Sequence, residues 1–137
     1  MKSFSYIIVL FFSVTLNSRC HSTPDRQKLQ RLVELTKRYP EVELCTDSLA
    51  FNGANSIEIR NLLYELDYNC CRLNVKSTQD IEDSLLVLTK RKPLEVQTLY
   101  FDFSNKPREL KTWNYPNASD KRVKVEAKIY LQTTGFD

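Results

Sequence analysis

At 137 residues, with 42% of them apolar and a formal net charge of +3, the chain has the length for one domain with its own core. Two glycines and one histidine exclude glycine-rich phosphate cradles and leave little for histidine-based catalysis. Lys and Arg outnumber Asp and Glu by only 20 to 17, so bulk charge does not support nucleic-acid or membrane-surface binding.

The N-terminus carries an address. Lys2 precedes a 13-residue, mostly apolar run from Phe4 to Leu16, and Asn17-Ser18-Arg19-Cys20-His21-Ser22 forms a polar exit. That order is the pattern of a cleavable secretory signal, and the run falls short of the roughly 20 residues a bilayer-spanning helix needs. Small residues allow cleavage after Cys20 or after Ser22; the second is preferred because Thr23-Pro24 then opens the folded part. Residues 1–22 are therefore read as a signal peptide and 23–137 as a single secreted, extracellular domain, free of the membrane after cleavage. Cleavage removes Lys2 and Arg19 but no acid, which lowers the net charge from +3 to +1. It also removes His21 and Cys20.

In the remaining chain, Thr23, Pro24 and Asp25 suit a helix start, and Leu29, Leu32, Val33, Leu35 and Tyr39 follow at helical spacing. A helix is expected over 24–39, stopped by Pro40. Residues 41–51 read as extended, with a bend near Thr46-Asp47-Ser48 and a turn at Asn52-Gly53. Asn55 or Ser56 caps a second helix, whose Ile59, Leu62, Leu63 and Leu66 make an i, i+3, i+4, i+7 stripe ending near Tyr68. The period then changes to two: Cys71, Leu73 and Val75 alternate with polar residues, and 84–90 and 94–104 give further strands. Asn105-Lys106-Pro107 turns the chain into 109–115. Val123, Val125, Ala127, Ile129 and Leu131 share one face of an expected long last strand, with Arg122, Lys124, Glu126, Lys128, Tyr130 and Gln132 on the other.

This order indicates an α+β fold: two N-terminal helices packed on a curved, mainly antiparallel sheet of about five to six strands. The element order, the Phe51-Asn52-Gly53 turn and the long terminal strands resemble the nuclear transport factor 2-like, cone-shaped domains, including small secreted versions. The resemblance covers most of 24–134 and implies a pocket between helices and sheet. It also implies isomerase-type chemistry by a carboxylate base with a tyrosine donor, for which Asp47, Asp67, Tyr64 and Tyr68 flank the pocket elements.

Three cysteines survive cleavage, Cys45, Cys70 and Cys71. An odd count in an oxidising compartment predicts one disulfide plus a buried thiol, or an intermolecular bridge giving a homodimer. The vicinal pair does not bond to itself readily, so Cys45 is expected to pair with Cys70 or Cys71. Asn117-Ala118-Ser119 is an N-glycosylation sequon in a turn. Lys90-Arg91-Lys92 reads as a solvated turn, and Asp80, Glu82 and Asp83 lack the ligand spacing and glycine of a calcium loop. Lys124 and Lys128 serve solubility on an exposed strand face. Trp113, Tyr115 and Tyr130 are candidates for an aromatic contact patch. No catalytic, metal or cofactor residues are assigned. The expected function is a secreted, non-enzymatic binding or interaction domain for a protein or a small apolar ligand. The alternatives are a histidine-free isomerase or dehydratase, or a disulfide-linked dimeric structural protein.

Overall fold

A computed structural model describes residues 24–47, 54–79, 81–106, 108–115 and 119–135. The expected signal peptide, the Asn52-Gly53 turn, Asp80 and Asn117 lie outside them.

Helix α1 (Arg26–Thr36) begins at Asp25, whose carboxylate accepts from the Gln27 and Lys28 N–H groups, satisfying donors that a helix start leaves unpaired. Its stripe of Leu29, Leu32, Val33 and Leu35 is buried. The helix ends before Tyr39, which stays exposed. Strand β1 is only Leu44–Cys45, and helix α2 (Ala54–Leu66) follows it. Strands β2 (Cys70–Asn74), β3 (Leu85–Arg91), β4 (Glu95–Asp102), β5 (Trp113–Asn114), β6 (Lys121–Glu126) and β7 (Ile129–Gly135) complete the chain.

All seven strands form one antiparallel sheet in the order β1-β2-β3-β4-β7-β6-β5. The expectation of two N-terminal helices on five to six strands is therefore corrected. A strand separates the helices, and the sheet has seven strands. The extra strand comes from the segment expected to be one long last strand, which is instead the β6–β7 hairpin. Its two-residue turn, Ala127-Lys128, pairs Glu126 with Ile129, and the one-residue bulge beside it restores the even–odd alternation, so that Val123 pairs with Leu131 and Arg122 with Gln132. Lys128 adopts φ 67° there, and a bulge at Lys124–Glu126 accommodates the turn.

The topology is two meanders, β1 to β4 and β7 back to β5, joined where β4 pairs β7. Among the described residues one connection crosses over: the chain leaves β4 after Asp102 and re-enters the sheet at its far edge, at β5. Alternation then gives the sheet two faces. Leu73, Leu86, Leu88, Leu99, Phe101 and Ile129 point to the helices and form the main core with α1 and α2. Leu85, Val87, Tyr100 and Tyr130 point the other way and bury Leu110 of the crossover in a smaller core.

The crossover is fastened at its start by Asp102, which is wholly buried. Asp102 accepts from Ser104 N–H at 2.8 Å and from Arg108 Nε at 2.9 Å. Further along, Leu110 N–H donates to the Tyr130 hydroxyl at 3.2 Å. Both sheet edges are two-residue strands, which limits the exposed hydrogen-bonding edge. Past β1, the β2 edge is closed by Glu41 instead. Its carboxylate accepts from Val75 N–H (2.6 Å), Lys76 N–H (2.9 Å) and Arg72 Nη2 (3.0 Å).

Candidate functional site

Strand alternation decides the cysteine pairing. Cys45 stands opposite Cys70, and Leu44 opposite Cys71, so Cys45 and Cys70 share the outer parity while Cys71 points into the helix-side core. The disulfide is Cys45–Cys70, with Cα atoms 4.0 Å apart. Cys71 is a buried free thiol, pushed up to about 12 by burial and by the nearby Glu43 charge. Glu43 lies close to both bridged sulfurs, but those sulfurs offer thiolates to a metal only once the bridge is reduced.

The helix-side pocket, about 380 Å³, is lined by Asp67 and Tyr68 together with Lys28, Glu65, Lys90, Leu99 and Leu131. Two of the four expected acid–base candidates are thus brought together. Asp47 and Tyr64 are not among the lining residues and are exposed. The Asp67 side chain is 83% exposed and ion-paired with Lys90, the opposite of the desolvated carboxylate that a general base needs. Tyr68 is pushed up to about 12 by burial and by the Asp67 charge, which keeps its hydroxyl protonated at neutral pH. The pocket is a charged rim over an apolar base.

The outer face is differently built. Register places Cys70, Thr89, Thr98, Gln132, Arg122 and Trp113 in one row across six strands. The next row holds Arg72, Val87, Tyr100, Tyr130 and Lys124. Cross-strand neighbours at this spacing interact directly. Arg122 accordingly lies between two rings, its Cζ 4.4 Å from the Trp113 centroid and 4.7 Å from that of Tyr100. Gln132 Oε1 accepts from Arg122 Nε (3.1 Å), Arg122 Nη2 (2.9 Å) and the Tyr100 hydroxyl (3.1 Å). Trp113 is held from outside, its indole N–H donating to Asp120 at 3.0 Å. A cation between two aromatic faces gains about 0.5–2 kcal/mol, depending on desolvation.

This stack borders a cavity of about 540 Å³, walled by Ile81, Leu85, Tyr100 and Leu110, with Lys111 and Glu82 among its polar lining. A second hollow of about 240 Å³ shares Ile81 and Tyr100 with it. Asn74 lines that hollow at 2% exposure, with neither amide atom paired among the described residues.

The remaining charged motifs are internally neutralised. Lys90 pairs with Asp67, Arg91 with Glu43 at 3.8 Å, and Lys92 with Glu95 at 3.0 Å. Glu82 and Asp83 both pair with Arg108, at 3.3 and 2.8 Å, which gives that part of the acidic cluster a structural role. Lys124 pairs with Glu109 at 2.6 Å, and Lys128 Nζ donates to the Ser104 carbonyl.

Of the expected aromatic patch, Trp113 joins the stack and Tyr115 is exposed just beyond it. Tyr130 is fully buried beneath the crossover and does not join them. Arg122, Gln132 and Asn74 were not singled out by the sequence. The first two already shared the polar parity of their segment, and the signal that would have joined them is the turn at Ala127-Lys128.

No family model, no curated protein and no solved structure matches this chain. Among the described residues, no helix is long and apolar enough to cross a membrane.

Proposed function

We propose that the chain is a secreted, non-enzymatic binding domain whose ligand surface is the outer face of the sheet. The observation that carries this reading is the Trp113–Arg122–Tyr100 stack beside the 540 Å³ cavity. That volume falls in the usual range of about 300–1,000 Å³ for small-ligand sites, and its lining is about evenly divided between apolar or aromatic and polar side chains. A guanidinium keeps its charge near neutral pH and is a poor proton donor or acceptor in catalysis, so the stack suits recognition rather than acid–base chemistry.

Export is supported by the signal pattern of residues 1–22 and by the Cys45–Cys70 bridge, since disulfides persist mainly in oxidising compartments. The Asn117 sequon fits the same route. Expression of the full chain in a eukaryotic secretory host tests it. The expected product in the medium starts at Thr23 and loses mass on amidase treatment. Retention in the cell with residues 1–22 intact contradicts export, and only unmodified Asn117 contradicts glycosylation.

A second reading, an isomerase or dehydratase of the cone-fold type, is favoured by one observation: Asp67 and Tyr68 line one pocket. Turnover lost in both Asp67→Ala and Tyr68→Phe would establish it over the binding reading.

A further inference from the structure

Arg122 is half-buried, yet among the described residues no carboxylate forms an ion pair with it. The acids around the outer face are committed elsewhere. Glu82 and Asp102 pair with Arg108, Glu109 pairs with Lys124 and accepts from the Tyr130 hydroxyl, and Asp120 accepts from Trp113. The compensation Arg122 does have is neutral: two rings, the Gln132 amide oxygen, and the Lys111 carbonyl at 3.4 Å from Nη1.

A guanidinium has five N–H donors. Gln132 takes one on Nε and one on Nη2, and Lys111 takes one on Nη1. Among the described residues, one N–H therefore stays without an acceptor on each of Nη1 and Nη2, available to a carboxylate. The guanidinium is pre-organised, since two rings and Gln132 already hold it, so less ordering entropy opposes binding.

We propose that the outer-face cavity binds a small organic carboxylate, its carboxylate on Arg122 and its flat apolar body against Ile81, Leu110 and Trp113. The assignment rests on the outer face being the binding surface. Lys111 supplies a second, exposed positive charge, while Glu82 is paired with Arg108. One guanidinium without an ion-pair partner among the described residues matches a monoanion. Ile81, Leu85, Leu110 and the two rings give the cavity apolar surface for an organic body beside its polar groups.

Trp113 is the sole tryptophan, so its fluorescence reports on this cavity alone. The folded chain is titrated with benzoate, with its uncharged analogue benzamide, and with inorganic phosphate. Benzoate is expected to change Trp113 emission saturably, about tenfold more tightly than benzamide, from the loss of charge-assisted hydrogen bonds. Phosphate is expected to show no saturation below about 10 mM, lacking an apolar body. Arg122→Gln, checked for folding by circular dichroism, is expected to abolish the preference for benzoate.

The comparison within the native chain stands even where that variant fails to fold. Equal affinity for benzoate and benzamide, or phosphate binding as tightly as benzoate, overturns the organic-carboxylate assignment while leaving the outer face as a binding surface. No saturable change with any of the three overturns both.

Discussion

One sheet presents two different chemistries, and adjacent residues on a strand belong to opposite ones. On β3, Leu86 and Leu88 are wholly buried against the helices, while Thr89 faces outward and stays half-exposed. On β4, Leu99 and Phe101 join the same core, whereas Tyr100 turns to the stack with Arg122. The helix side is closed by aliphatic packing, which is non-directional and contributes most of the stability. The outer side is held by hydrogen bonds, rings and one crossover strap, which contribute less but fix orientation. The difference teaches that the fold and the candidate site are separable: the site can vary without dismantling the core.

The strongest way to break this comparison is to truncate neighbours on one strand. Leu88→Ala is expected to cost about 2–5 kcal/mol through lost burial and a cavity, and Thr89→Ala about 0.5 kcal/mol or less. Urea denaturation of the two variants checks it. Similar losses in both would mean that the two faces are not energetically distinct.

The paired cysteines sharpen the same contrast across one peptide bond. Replacing both Cys45 and Cys70 by Ala opens a loop of sequence separation 25 and is expected to cost about 3 kcal/mol. Cys71, facing the core with its thiol pushed up to about 12, is expected to resist iodoacetamide at pH 8 until the chain is unfolded. Rapid alkylation of native protein, counted by mass, would place Cys71 on the open side.

A smaller effect concerns the sheet edge. The Val75 N–H, with help from Arg72 and the Lys76 N–H, holds the Glu41 carboxyl below the ordinary glutamate range. A lowered folded value means its contribution is complete above the unfolded value of about 4.3 and is lost as pH falls through the folded one. The chain is therefore expected to lose stability below about pH 4, and Glu41→Gln to flatten that part of the profile. An unchanged acid limb in the variant would remove Glu41 from the account.

Local pattern made parts of the molecule readable in advance. The α1 stripe from Leu29 to Leu35, the α2 stripe and the Cys71–Leu73 alternation on β2 lie where burial places them, because each depends on residues three or four apart, or two apart, whereas Val75 lies exposed beyond the strand. What sequence spacing could not show was a turn and a bulge that together leave alternation intact. Ala127-Lys128 carries no glycine, asparagine or proline, so one long strand and a hairpin have the same apolar pattern. The hairpin is also what sets Arg122 beside Gln132. The site was hidden for the same reason as the seventh strand. Asp67 and Tyr68 were legible as pocket neighbours, but the exposure of Asp67 and its pairing with Lys90 are tertiary facts. Tyr130 kept its expected parity and was buried all the same, by a crossover whose irregular backbone has no periodicity to read.

The central claim is that the outer face, not the helix-side pocket, receives the ligand. Amide and side-chain nitrogen–proton spectra of the native chain, recorded during a benzoate titration, test it directly. The account predicts shifts confined to the Trp113 indole, the Arg122 Nε and the Gln132 amide, with the Leu66–Tyr68 and Lys90 amides unmoved. Shifts centred on Leu66–Tyr68 and Lys90, with Trp113 and Arg122 silent, would contradict it.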